Sequence, residues 1–148
     1  MATGTMYSLF WNLLAAKDVD VDADTFKVML ATSDYSPDQD AHEFKSDVTD
    51  EVSGSGYSAG GVALTGVSFA YNSGANTFKF SANDTTFSGV TIASARYAIV
   101  YDDSTGGSDS SKRLVGWVDF EGDVETTGAD LVIDWDTSAG IWQLTVSA

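Results

Sequence analysis

From residue 62 onward the chain reads as short alternating segments split by small turn clusters, and this pattern constrains its fold more than any other feature. Apolar and polar residues alternating at period two mark half-buried strands. The spacing predicts strands at 62–71, 77–82, 91–101, 113–120, 129–135 and 141–147. Asn72-Ser73-Gly74, Asn83-Asp84, residues 104–111, Gly122 and residues 137–140 supply the breaks. Leu131, Ile133 and Trp135 oppose Val132 and Asp134; Trp142, Leu144 and Val146 oppose Ile141, Gln143 and Thr145. Trp135 and Trp142 thus fall on apolar faces and are expected in the core. Short strands with glycine-rich turns bury their apolar faces by stacking two sheets or rolling one up. The expected fold is mainly β, an antiparallel β-sandwich or partly open barrel with one N-terminal amphipathic helix.

That helix is expected over 5–17, where Met6, Leu9, Phe10, Leu13 and Leu14 form one apolar stripe. Thr5 would cap its start, and Lys17 suits the C-terminal end of its dipole. Tyr7 and Trp11 lie on a flank of the stripe, either as extra packing or as contacts for another subunit. Residues 18–24 read DVDVDAD, consistent with a solvated edge strand with valines inward. A strand over 25–33 follows, with Phe26, Val28 and Leu30 on one side and Lys27 and Met29 on the other. Residues 34–61 form a long polar arm holding Pro37 and four glycines, and long excursions of this kind often carry contacts. Its contact candidates are Tyr35, Pro37, His42, Phe44 and Tyr57. The segment 104–111, STGGSDSS, is expected to be an exposed, mobile tip. At 148 residues the chain suits one domain, 1–148, with helix 5–17, acidic arm 34–61 and β core 62–148.

The charges exclude several functions. There are 22 acidic and 7 basic residues, net −15, and only Lys112 and Arg113 are adjacent cations. A nucleic-acid binder needs a basic patch, and an anionic membrane attracts one, so neither partner is expected. The first residues carry an apolar patch without a basic n-region, so no secretory signal is expected. No cysteine is present, which removes disulfides, thiolate metal sites and thiol nucleophiles. Read as an EF-hand loop from Asp18, DVDVDAD puts Ala23 at the sixth position and Met29 at the twelfth, where glycine and glutamate belong. His42 is the one histidine, set among acids with no serine in a nucleophile elbow. Carboxylate pairs such as Asp119/Glu121 and Asp134/Asp136 fit solvent-facing alternation better than a glycosidase cleft. No catalytic residue, metal ligand set or cofactor is expected. Trp117 is the residue best placed to stack on a sugar. Arg96, within an apolar strand, needs an acidic partner, and Asp102 at the strand end is the expected one.

The order of these segments resembles a group of tailed-bacteriophage virion proteins. The resemblance runs from an amphipathic helix through an acidic stretch to TFKVMLATS, then Tyr35-Ser36-Pro37-Asp38 and the His42 loop. It continues with GYSAGG at 56–61 and RYAIVYDD at 96–103. It implies a non-enzymatic structural protein of the particle, made in the host bacterial cytoplasm. A small acidic β domain in this group suits a decoration or cement protein on the head surface. Its partner would be the major capsid protein, with homo-oligomers, trimers above all, suiting threefold positions. A tail or fibre component, including a host-glycan binder, is the alternative.

Overall fold

The computed structural model describes residues 1–104 and 106–146; Thr105 of the expected tip and the expected strand end at Ser147 lie outside them. The chain is mainly β, with two antiparallel sheets in a sandwich-like arrangement and one short helix near the N-terminus. In chain order the elements are β1 (Thr5–Met6), α1 (Phe10–Ala16), β2 (Phe26–Ala31), β3 (Gly54–Ser55), β4 (Val62–Ala63), β5 (Ser68–Asn72), β6 (Thr77–Ser81), β7 (Thr85–Asp102), β8 (Leu114–Ile133) and β9 (Trp142–Thr145). The larger sheet runs β1-β8-β7-β2-β4, with β3 also paired to β7; the smaller runs β5-β6-β9.

The hairpin β7–β8 corrects the sequence reading. Most of segments 113–120 and 129–135 falls in one strand, Leu114–Ile133, and the strand expected over 91–101 begins at Thr85. Gly122 ends nothing. The residue before it, Glu121, has φ 61, and its N–H donates to Asp119 Oδ1 at 2.7 Å. A residue in that conformation lets a strand bulge and bend while pairing continues. The ladder also slips between Phe87 and Val90, around Gly89. The amide of Gly89 donates to Asp130 and that of Gly128 to Thr91 Oγ1, both at 2.8 Å.

The helix is shorter than the apolar stripe predicts. Thr5 and Met6 pair with Trp117 and Gly116 of β8, so Thr5 belongs to a strand and is no N-cap. The helix starts after Leu9 and stops at Lys17, whose φ of 63 closes it. At 7 residues it depends on tertiary packing. Phe10 and Trp11 supply that packing, 5.6 and 5.5 Å from the Trp142 ring. The DVDVDAD segment is a turn, not an edge strand. Val19 and Val21 point inward as expected, while Asp24 accepts the Asp20 amide and Asp20 accepts the Asp22 amide.

Two apolar clusters result. The main core fills the space between the sheets, with Phe10, Phe26, Leu30, Phe80, Ile92, Trp135 and Trp142 among its members. A second cluster lies on the other face of the larger sheet, formed by Tyr7, Met29, Ala31, Tyr35, Ile99, Tyr101 and Leu114. Met29 opposes Phe26, Val28 and Leu30 as the alternation predicts, and it finds this second core there.

Candidate interaction surface

The arm roofs the second cluster. Tyr7 and Tyr35 are 0% and 2% exposed, so neither can touch a partner, which corrects the expectation for both. Tyr7 precedes the helix and packs on Trp117 with ring centres 4.7 Å apart. Its hydroxyl is 2.8 Å from that of Tyr35, which is 2.8 Å from His42 Nδ1. The Asp38 amide donates to the same nitrogen at 3.2 Å. Nδ1 is therefore an acceptor, Tyr35 donates to it, and Tyr7 donates to Tyr35. Burial pushes the Tyr7 hydroxyl far above its ordinary value and that of Tyr35 up to about 12.

Further along, the arm is tied to the segment between β7 and β8. Arg113 pairs with Glu43 and sits over the Phe44 ring at 4.5 Å. Lys45, although buried, reaches Asp109 at 2.7 Å. The Ser46 amide donates to the Asp109 carbonyl at 3.1 Å, and Ser111 Oγ donates to the Ser108 carbonyl at 2.7 Å. The expected mobile tip is thus pinned at its described end. The GYSAGG return is pinned as well. Tyr57 donates to Glu51 at 2.8 Å, accepts the Leu30 amide at 3.0 Å and stacks on Phe87 at 5.8 Å. Gly61, at φ 72, passes so close to β2 that a Cβ there would lie 1.9 Å from the Val28 carbonyl oxygen. Trp11, Pro37, His42, Phe44 and Tyr57 remain half-buried at the surface.

The expected Arg96–Asp102 pair is replaced by another. Arg96 grips Asp119 of the neighbouring strand with two bonds, 2.6 and 3.1 Å, because the register sets Asp119 opposite Tyr97. Asp102 is fully buried at the end of β7. It accepts the Ser104 amide at 2.7 Å, while its Oδ2 meets no donor. Burial, and then the Asp24 carboxyl beside it, push its pKa up. Burial also pushes against ionisation of Asp103, but Lys112 and Lys27, each at 2.8 Å, pull that carboxyl below its ordinary value. Lys27, Lys45, Arg96, Lys112 and Arg113 are thus all held in ion pairs. Lys79 donates to the Thr137 carbonyl, and Lys17 is exposed and has no ion pair among the described residues.

Trp117, the candidate for sugar stacking, is half-buried against Tyr7. Among the described residues no three His, Asp or Glu gather as a metal-binding group, and no helix is long and apolar enough to cross a membrane. The large apolar side chains left most exposed are Met1, Tyr71, Val132, Leu144 and Val146; Val132 lies with Asp134 away from the apolar face, as the alternation predicts, while the exposure of Tyr71, Leu144 and Val146 escaped the sequence reading. The signal for Leu144 and Val146 was their place on an apolar strand face, but alternation does not say where cover ends. No protein-family model matches the chain, and neither does any curated protein or solved structure.

Proposed function

We propose that this chain is a non-enzymatic decoration protein of a tailed-phage head, made in the bacterial cytoplasm. It binds the outer face of the major capsid protein as a homo-oligomer, with a trimer fitting threefold positions, and reinforces contacts between capsomers. The observation that supports this reading is the fastening of the arm. Tyr35–Tyr7, Glu43–Arg113, Lys45–Asp109 and Tyr57 with the Leu30 amide of β2 tie it to the rest of the chain near both of its ends and at its middle. A surface already rigid loses little conformational freedom on docking, and many copies on one shell add their contacts. Pro37, His42, Phe44 and Tyr57 are the half-exposed residues the arm offers, and Trp11 is half-exposed on α1, where it packs on Trp142. Cryo-EM of the parent particle tests the reading: copies on the head surface are expected. Density confined to the tail would overturn it in favour of a tail or fibre role, and no copies on the head would overturn it outright.

A further inference from the structure

We infer that the open end of the smaller sheet is a docking site for an apolar segment of another protein flanked by lysine or arginine. The register of the three strands carries the first part. Phe69, Phe80 and Trp142 form one row across the sheet and face the main core. Two residues along each strand, on the same face, lies the row Tyr71, Phe78 and Leu144. Among the described residues that second row has no cover: Tyr71 is 49% and Leu144 41% exposed, and Val146, which continues the β9 face, is 45% exposed. Tyr71 packs on Phe78 at 4.9 Å and Phe78 on Phe69 at 5.5 Å, so the exposed rings run without a break into the buried ones. Phe69 also lines an open groove of about 470 Å³ whose other walls are Leu14, Val19, Val21, Lys17, Asp20 and Asp22. Row and groove form one apolar surface, and such surfaces mark interaction sites.

Charge decides what covers it. The groove carries Asp20 and Asp22 with one cation, Lys17, on a chain of net −15. A second copy of this chain brings the same excess of acid. Five of its seven cationic side chains are already held by its own carboxylates. A self-contact here would set like charge against like, which costs affinity. The complement is a segment with two or three aliphatic or aromatic side chains and cations beside them. This inference stands without the decoration reading, which would make the partner a capsid subunit.

The test uses the full-length protein and a short dye-labelled peptide alternating leucine and lysine, read by fluorescence anisotropy at physiological salt. Binding is expected, at least about tenfold tighter than to matched serine–lysine or leucine–glutamate peptides. Tyr71→Ser and Leu144→Ser should each weaken it about tenfold. Val132→Ser, at an exposed valine elsewhere, should leave it unchanged. Circular dichroism verifies the fold of each variant, and Val146→Ser replaces Leu144→Ser if that one unfolds. Equal binding of the serine–lysine peptide would overturn the inference in favour of charge alone. Equal loss in Val132→Ser would overturn it as non-specific adsorption. Self-association in sedimentation velocity that Leu144→Ser abolishes would overturn it in favour of a second copy. None of these outcomes depends on whether the protein sits on a phage head.

Discussion

The two halves of the β7–β8 hairpin differ in how many of their faces are covered. In the half next to β2, residues 98–102 are all buried, so both faces of the strand are covered. In the other half burial alternates: Phe87, Val90 and Ile92 are buried, and Thr86, Ser88, Thr91 and Ala93 are exposed. The main core runs under both halves, but the arm covers the opposite face of only one. Composition follows cover: the doubly buried half reads AIVY, and the other mixes threonine and serine with its apolar residues. A strand in the middle of a sheet is therefore as apolar as its two coverings require.

The strongest attempt to break this comparison is a paired truncation. Ile99→Ala removes a fully buried side chain under the arm and should destabilise by about 2–5 kcal/mol in chemical denaturation. Val132→Ala, on the exposed face of the other half, should stay within about 0.5 kcal/mol. Equal effects would mean that the arm packs no real core. A second variant sharpens the point at the roof itself. Tyr35→Phe leaves the buried Tyr7 hydroxyl and His42 Nδ1 without their shared partner and should cost about 1–3 kcal/mol. Cleavage within 34–50 under limited proteolysis should rise with it, and an unchanged digestion pattern would count against the hydroxyl chain as the fastener.

The smallest effect concerns charge where both faces close. The Asp102 pKa is raised, so the folded state holds its proton more tightly than the unfolded state does. Its contribution is therefore favourable below the ordinary value of 3.8 and is lost as pH rises through the folded value. Asp103 and Asp119, lowered by their cationic partners, behave oppositely and lose stability as pH falls. Asp102→Asn keeps an oxygen for the Ser104 amide and offers an N–H to Asp24. It should stabilise by roughly 1 kcal/mol at neutral pH. The gain should vanish toward pH 3.8 and below, where the native carboxyl is protonated too. Melting curves across that range check it, and a constant difference would show that Asp102 is not the titrating group.

Strand existence, the Trp135 and Trp142 core and the buried stripe of Phe10 and Leu13 are legible in the sequence, because periodicity reports local burial. The continuity of β8 is not, since a bulge at Glu121-Gly122 has the same residues as a turn. Tyr7 and Tyr35 read as surface aromatics because nothing local reveals a second covered face. Their burial depends on contacts between residues distant in the chain. The same holds for Arg96, whose partner Asp119 is chosen by register across the hairpin.

Both margins of the larger sheet are two-residue strands, β1 and β4. Each shields only two positions of the strand it flanks: β1 pairs with Gly116 and Trp117 of the 20-residue β8, and β4 with Lys27 and Val28 of β2. The smaller sheet is edged instead by β5 and β9, of five and four residues. Among the described residues, a foreign strand seeking backbone partners thus finds room on both sheets, along β8 beyond its contact with β1 and along β5 and β9.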